Sequence, residues 1–352
     1  MGCGYGFTDT RSKSMNTECG TERPWNCAFK VPPVASDKVL CRTQGGRFNL
    51  TSPAPCPWGM VLVLASFLLA LAILQPITLA ATTDAVVPGD MVFIDNGQVR
   101  LGVKKTSGAG IAWFSLSGTN RNLINHWDRG RLIQQSYYGD TDGSLWNQQP
   151  WRWNPVQGGD WKGKPATVLD LQSTNNTLYA RSWARHWAAG NELTNVVFEQ
   201  WITLTGKTAH VHFKMTYSGE HAHGVHDHEI PAFFVAPDLN TLVLYAGDKP
   251  WTNDKLHRSV PGWPNEGRAM TENWAAYVGT NGFGIGAYVP VATNLTCYRF
   301  GDGSEDHGSC SYFAPLTRFA ITPGKVFEYD LHLAIGTADE IRATFGKLRP
   351  PR

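Results

Sequence analysis

The sequence has few charged residues, and its cysteines are scarce and unevenly placed. Charged residues make up 17% of 352 residues, with a net charge of +2. Lys and Arg form no stripe, which argues against a nucleic-acid partner. Five of the seven cysteines precede residue 57 and lack the paired short spacings of a zinc site. No internal repeat is visible, which argues against a propeller. We expect no cofactor.

Aromatic residues and glycine, by contrast, are abundant. The chain holds 14 Trp, 11 Tyr, 16 Phe and 36 Gly. This balance favours strands, tight turns and stacking surfaces over a helical bundle. We therefore expect a mainly β protein.

The first 81 residues divide into two segments of different composition. Residues 1–57 show no periodicity and contain nothing that would bury a core, which predicts a segment that is disordered or not translated. Residues 58–81 are uncharged and long enough to span a bilayer. They predict a signal anchor or, if Met60 is the true start, a cleaved signal peptide. Either alternative sends residues 82–352 to the secretory pathway, with membrane contact only through 58–81 if they stay uncleaved.

Period-two alternation bounded by turn residues dominates from Met91 to Gly336. Residues 196–204 and 209–217, separated by Gly206-Lys207, predict a hairpin. A dozen or more strands need two packed sheets, so we predict an all-β, two-sheet β-sandwich. One short helix is expected near 338–346, with Thr337 as its N-cap.

A polar stretch rich in Trp, Tyr, Arg and Gly runs from Asn125 to Asp160. Flat aromatic faces beside fixed hydrogen-bonding groups suit a sugar ring, although long loops covering a sheet edge are the alternative. We assign a catalytic role here to Asp128 and Tyr138. The candidate substrate-binding residues of this stretch are Arg131, Gln134, Tyr137, Trp151, Trp153, Asn154 and Asp160.

A second polar cluster, His221 to Ala232, supplies the other candidate catalytic residues, His228 and Glu229. A histidine of near-neutral pKa beside a glutamate suits proton exchange. The His226-x-His228 spacing also fits a metal pair, but no Glu follows at the required distance, so we assign no metal ligands. Asp248 and Trp251 are expected to add a further wall to the same cleft.

The chain resembles secreted carbohydrate-active β-sandwich proteins and, more loosely, the galactose-mutarotase-like superfamily over about residues 90–346. The strings that carry the resemblance are Asn125-x-x-Asp128-x-Gly130-Arg131-x-x-Gln134-Gln135-Ser136-Tyr137-Tyr138 and His228-Glu229-x-Pro231-Ala232. It implies a supersandwich that holds sugars on its concave face and uses His and acidic residues for proton transfer. Hydrolase and lyase domains occur among such proteins.

Three classes of function remain open from the sequence: a glycan-cleaving enzyme, either a hydrolase or a lyase, a lectin-like module, and a structural protein. The first two have a polysaccharide or oligosaccharide partner. A glycoside hydrolase would use two carboxylates from Asp128, Asp160, Glu229 and Asp248. A polysaccharide lyase would use Tyr137 or Tyr138 with His226 or His228, while Arg131 neutralises a uronate. A lectin-like module would only stack sugars on Trp151, Trp153 and Trp251. A structural cell-surface protein would need no such site.

Export would place the remaining cysteines in an oxidising compartment. Cys297 and Cys310 flank a turn-like Gly-Asp-Gly-Ser run, which predicts a hairpin-closing disulfide, with two buried thiols as the alternative. Asn175 and Asn294 begin Asn-x-Thr glycosylation acceptor triplets.

Overall fold

The computed structural model describes residues 89–349. The predictions for 1–57 and 58–81 therefore lie outside the described residues. Within 89–349, no helix is both long and apolar enough to cross a membrane.

The described residues form two large antiparallel sheets, as predicted. The first has nine strands, in the spatial order β8 (Val168–Ser173), β9 (Thr177–His186), β10 (Glu192–Thr205), β11 (Thr208–Tyr217), β20 (Val326–Thr337), β17 (Phe283–Tyr288), β16 (Trp274–Val278), β13 (Thr241–Leu244) and β14 (His257–Ser259). The β10–β11 pairing, with Thr205 opposite Thr208, confirms the predicted hairpin.

The second sheet has eight strands in the described part of the chain. Their spatial order is β1 (Met91–Asp95), β2 (Val99–Lys104), β3 (Gly110–Leu116), β4 (Ile133–Ser136), β12 (His223–Val235), β19 (Cys310–Ile321), β18 (Asn294–Phe300) and β15 (Glu266–Ala269). The short β7 (Pro155–Val156) pairs with both β4 and β9 and so joins the two sheets.

Three smaller elements lie outside the two sheets. The strands β5 (Thr141–Trp146) and β6 (Gln149–Arg152) form a separate hairpin. Two 3-10 turns cover Lys105–Ser107 and Glu305–His307.

The main core lies between the sheets, because alternate residues of each strand point inward. Phe198 and Phe213 from the nine-stranded sheet and Phe233 and Phe313 from the eight-stranded sheet are fully buried members of this core. Residues of intervening parity point outward. In the eight-stranded sheet these include Phe234 and Tyr312, which form a small apolar cluster of their own.

One helix, α1 (Ala338–Gly346), covers the outer face of the nine-stranded sheet and confirms the prediction of a short C-terminal helix. Thr337 accepts from the Glu340 backbone nitrogen while Glu340 bonds back to Thr337, which is a capping box. Ile341 and Phe345 bury their side chains against Trp274.

A buried ion pair fixes α1 to the sheet. Glu272 is fully buried, and its Oε1 and Oε2 accept from Arg342 Nη2 and Nε at 2.5 and 2.9 Å. The same carboxylate also accepts from Trp274 Nε1 at 2.8 Å and from the Trp251 backbone nitrogen at 2.5 Å. Its desolvation is therefore offset by four donors.

The predicted disulfide is wrong: Cys297 and Cys310 are both free, buried thiols. Cys297 pairs with Phe313 across the β18–β19 ladder, whereas Cys310 pairs with Phe300. The two register positions differ by three residues, so the side chains lie on opposite faces of the sheet, about 10 Å apart along the strands. Burial raises the pKa of Cys297 to about 12 and that of Cys310 to about 11.

Arg342→Met should lower the free energy of unfolding by about 3–5 kcal/mol, because it leaves the Glu272 carboxylate buried without its cation. Urea unfolding measured by fluorescence tests this. Adding Glu272→Gln should restore part of the loss, since the amide keeps an acceptor for Trp274 without a charge. Arg121→Met, which breaks the exposed Arg121–Asp238 pair, is the control and should cost less than about 1 kcal/mol. Equal losses for both arginines would contradict the assignment.

Candidate functional site

A half-buried carboxylate lies at the centre of the outer face of the eight-stranded sheet. Glu229 Oε1 accepts from the Tyr138 hydroxyl at 2.8 Å and from the Tyr312 hydroxyl at 2.5 Å. Tyr138 follows β4, Glu229 lies on β12 and Tyr312 on β19, so three chain segments meet at one carboxyl group. The structure thus brings together two of the four residues assigned catalytic roles from the sequence.

A β-bulge places these groups on one face. Glu229 pairs with Leu316, but Phe233 pairs with Phe313, so β12 has one extra residue in this interval. Side-chain direction alternates along a strand, and the extra residue shifts it by one position. Glu229 and Phe234, five residues apart, consequently both face outward beside Tyr312.

Burial raises the pKa of Glu229, while hydrogen bonds from Tyr312, Tyr138 and Ser136 oppose that rise. Burial, and then the Glu229 charge, raise the pKa of Tyr138 well above its usual value. Both tyrosines therefore stay protonated and donate to the carboxyl group. A carboxyl group with a raised pKa can supply a proton nearer neutral pH than an ordinary glutamate can.

The His228 side chain points to the inner side of the eight-stranded sheet, opposite to that of Glu229. The His228 ring is fully buried, and its Nδ1 accepts from the Tyr138 backbone nitrogen at 3.1 Å. Its Nε2 lies 3.0 Å from the Phe319 carbonyl oxygen and must therefore carry the proton. Both ring nitrogens are occupied, and burial lowers the pKa of His228 to about 4. The ring positions Tyr138 and has no free nitrogen to offer a substrate.

Aromatic side chains surround Glu229 on the outer face. Tyr298 lies 4.5 Å from Tyr312 between ring centroids, and Trp263, 41% exposed, packs edge-on against Tyr298 at 4.8 Å. Phe234 packs beside Tyr312 at 4.5 Å. The Arg152 guanidinium lies 6.0 Å from the centre of the Tyr138 ring. We call this surface, with Glu229 at its centre, the open face.

Tyr298, Tyr312 and Trp263 were not among the residues predicted from the sequence. Alternation along β18 and β19 was the available signal for the two tyrosines, with Tyr298 and Phe300 on one parity. The strand neighbours that bring them to Glu229 depend on register across the sheet, which alternation within one strand does not determine.

Asp128 and Arg131 lie at the rim of the open face. Asp128 Oδ1 accepts from the backbone nitrogens of Gly130 and Arg131 at 2.8 and 2.9 Å and so closes a turn. Arg131 donates to the Gly308 carbonyl and lies 5.9 Å from the Phe300 ring centre. Asp128 therefore stabilises a turn and does not stand as a free catalytic carboxylate. Arg131 lies close to the aromatic surface.

Three residues expected to bind substrate are buried and bonded within the protein. Gln134 bonds to the Gly130 carbonyl and the Gly158 nitrogen, and Asn154 donates to the Tyr137 carbonyl at 2.7 Å. Tyr137 is a core residue, fully buried and bonded to Gln135. These polar groups hold loops together, since a buried amide needs internal partners. The structure does not place them in contact with solvent.

Trp151, Trp153 and Asp160, which were predicted to bind substrate, contact other parts of the protein. Trp151 packs edge-on against Trp146 at 5.0 Å and bonds to Asn154. Trp153 is 8% exposed. Asp160 is buried, and its Oδ1 accepts from the backbone nitrogens of Lys162 and Lys164, which stabilises their turn.

Asp248 and Trp251 belong to a different part of the molecule. Both lie between β13 and β14, and Trp251 packs against Tyr288 and α1 at the outer face of the nine-stranded sheet. The open face lies on the other side of the sandwich. Asp248 and Trp251 therefore do not form the further wall of the Glu229 site that was expected of them.

A second polar site lies where β12 begins. Asp140, Asp142, His221 and His223 line a cavity of about 430 Å³, together with Thr141, Trp153, Asn195 and Tyr217. The Trp153 and His223 rings stack at 4.0 Å. Burial, followed by the nearby His221 charge, lowers the pKa of His223. A Cβ on Gly139 would lie 2.6 Å from His223 Nδ1, so the close approach requires glycine there.

No family model matches the chain, and no curated protein matches it. Among solved structures, a galactose mutarotase related enzyme from Lactobacillus acidophilus is 10% identical, with a TM-score of 0.47 over 70% of this chain and 97% of that one. A galactose mutarotase-like protein from Lactobacillus casei is 11% identical, with a TM-score of 0.45 over 70% and 99%. One from Clostridium acetobutylicum is 8% identical, with a TM-score of 0.45 over 70% and 95%. These are likenesses of fold at low sequence identity.

The buried His228 should make stability depend on pH. Its folded-state pKa of about 4 lies below the ordinary 6.5, so the unfolded chain binds a proton first as pH falls. The His228 contribution is complete above pH 6.5 and is lost on descent to about pH 4, a change on the order of 3 kcal/mol.

Urea unfolding of the wild type and His228→Asn between pH 4 and 7.5 measures this. The asparagine amide can still accept from Tyr138 but does not titrate, so its deficit should shrink as pH falls. Burial also lowers the pKa of His332 and His223, so the difference between the two proteins is the diagnostic quantity. A constant difference across this range would contradict the neutral assignment.

Proposed function

We propose that this protein is a carbohydrate-active enzyme whose substrate lies on the open face and exchanges a proton with Glu229. The observation that carries the proposal is the half-buried Glu229 carboxyl group, held by two tyrosine hydroxyls on a surface of exposed and partly exposed aromatic rings. Burial of this group favours its protonated form.

The surroundings of Glu229 suit a sugar better than a wholly apolar ligand. Trp263 and Tyr298 offer flat faces for the C–H side of a pyranose ring, and aromatic rings with polar tips combine stacking with hydrogen bonding. Arg131 and Arg152 add donors at the edge. A few fixed polar groups on a largely apolar surface are typical of small-molecule sites.

Hydrolysis of a glycosidic bond is the reaction that we propose. Glu229 would act as the general acid, and Asp227, two residues away on β12, would act as the second carboxylate. Residues two apart in a strand share a face, with Cα atoms about 6.8 Å apart, so both carboxyl groups project from the open face. We propose inversion, the mechanism in which the two carboxyl groups are held far enough apart, roughly 6.5–9.5 Å, for a water molecule. Arg318 Nη1 lies 3.6 Å from Asp227 Oδ2 and pairs with this carboxylate at the surface.

The lyase and lectin alternatives have less support. A lyase base needs a tyrosine of lowered pKa or a free imidazole, whereas the pKa of Tyr138 is raised and both His228 nitrogens are occupied. Trp151, Trp153 and Trp251, the stacking residues that the lectin alternative requires, pack against other side chains. Trp263, which packs against Tyr298, is an exposed ring of the open face.

Glu229→Gln should lower kcat by roughly 100-fold or more on a glycan that the wild type cleaves, since the amide cannot transfer a proton. Asp227→Asn should lower it similarly. Tyr312→Phe should have a smaller effect, because it removes one hydrogen bond to the acid. Trp263→Ala should mainly raise KM.

The assay is incubation of the full chain with a polysaccharide panel, followed by measurement of reducing ends and of the ultraviolet absorbance of unsaturated products. Glu328→Gln, which changes an exposed carboxylate on β20, is the matched control and should leave kcat unchanged. Unsaturated products would show elimination instead of hydrolysis. Turnover that survives Glu229→Gln would refute the assignment, and sugar binding that requires Trp263 without any turnover would indicate a lectin.

We also propose that the β-sandwich is exported, on the basis of the apolar segment 58–81. Asn175 and Asn294 are exposed in the structure, so both acceptor triplets can be reached by a glycosyltransferase. Full-length chain expressed in a eukaryotic secretory host should appear in the medium and lose mass on treatment with an N-glycosidase. Asn175→Gln and Asn294→Gln should each remove one glycan. Retention of unglycosylated protein in the cytosol would contradict export.

A further inference from the structure

The cavity at the start of β12 contains a set of nitrogen and oxygen donors that is separate from the open face. Asp140, His221 and His223 each present one ligand atom, and these atoms all lie within 4.8 Å of one another. Asp140 lies between β4 and β5, whereas the two histidines lie at the N-terminal end of β12. Segments more than 80 residues apart thus converge on one point.

The surrounding protein holds each of the three side chains in place. The buried His223 ring stacks on Trp153 with an interplanar angle of 18°. The Tyr217 hydroxyl donates to the His221 carbonyl at 2.7 Å, which fixes the backbone of that residue. Asp140 accepts from the Gly224 nitrogen at 3.1 Å at both carboxylate oxygens.

His226 provides a supporting contact of the kind found around metal ligands. Its Nε2 lies 2.8 Å from Asp140 Oδ1, so it orients the carboxylate while leaving Oδ2 directed toward His223, whose Nδ1 is 3.8 Å away. Hydrogen bonds to ligating carboxylates set their orientation and their affinity for the ion. The Asp140 backbone nitrogen also donates to His223 Nδ1, in competition with a metal ion, but this hydrogen bond is long at 3.4 Å.

We propose that Asp140, His221 and His223 bind a divalent transition-metal ion of the Zn²⁺ type. Two imidazole nitrogens and one carboxylate oxygen are a donor set that Zn²⁺ accepts, whereas Ca²⁺ and Mg²⁺ require oxygen ligands. Three protein ligands leave one tetrahedral position, and all three residues line the 430 Å³ cavity. Sites with three protein ligands and an open position bind water or an oxygen of a small molecule.

Isothermal titration of the full chain with Zn²⁺ at neutral pH tests this proposal independently of any activity. The cysteines are first alkylated, because free thiols in residues 1–57 could bind the same ion. We expect one equivalent of Zn²⁺ to bind, with no comparable binding of Ca²⁺ or Mg²⁺.

His221→Ala is the decisive variant, because His221 is exposed and its loss should leave the fold intact. Removal of a ligand should weaken Zn²⁺ binding at least about 100-fold, and His226→Ala, a change in an outer contact, about 10-fold. His257→Ala, an exposed histidine on β14, is the matched control and should bind as the wild type does.

Circular dichroism of each variant reports whether it is folded, and the absorption spectrum with Co²⁺ reports the ligand type. We expect a Co²⁺ spectrum typical of nitrogen and oxygen ligands, without the charge-transfer bands that thiolate ligands produce. Zn²⁺ binding that is unchanged in folded His221→Ala, or no binding by the wild type, would overturn the proposal. Binding that fails for Glu229→Gln as well would show that the two sites are one.

Discussion

The extra residue of β12 between Glu229 and Phe233 is the constraint on which the open face depends. Strand residues alternate between two faces, so an uninterrupted β12 would direct either Glu229 or Phe234 into the core. An ionised carboxylate buried in the core without a cation would strongly destabilise the folded state, because it would lose its hydration without gaining a partner. The bulge keeps Phe233 stacked on Phe313 inside the sandwich while Glu229 and Phe234 face outward. It therefore makes a polar centre compatible with a continuous core.

The buried His228 ring connects that centre to the core. One ring nitrogen accepts from the Tyr138 backbone and the other donates to Phe319 on β19. Because the ring is neutral and its nitrogens are satisfied, the site gains rigidity without a buried charge. The hydroxyl of Tyr138 then reaches Glu229 from a backbone that is held on the inner side. Rigid support of this kind is what a group needs if it is to meet a substrate in a defined position.

The two polar sites share β12 but differ in their chemistry. The start of the strand offers nitrogen and carboxylate ligands in an open cavity, and its middle offers a protonatable carboxyl group among tyrosines. The polar string from His221 to Glu229 contains both sets, and a register shift between His223 and Val225 reverses the side-chain alternation between them. His226 and His228, which the sequence suggested as a pair, are separated in role: the first contacts Asp140 and the second lies in the core.

The sequence by itself determined the elements of this protein. Alternation, turn residues and the Thr337 cap are local signals, and they were sufficient for the strands, the β10–β11 hairpin, the sandwich class and α1. Tyr138 and Glu229, both candidates from the sequence, are hydrogen-bonded to each other in the structure. Only the tertiary structure decided which residues meet. Strand register places Cys297 and Cys310 on opposite faces, buries Gln134, Tyr137 and Asn154, and brings Tyr312 to Glu229 and Asp140 to His223. Register depends on pairing between segments far apart in the chain, whereas the pattern of a single strand specifies only its own two faces.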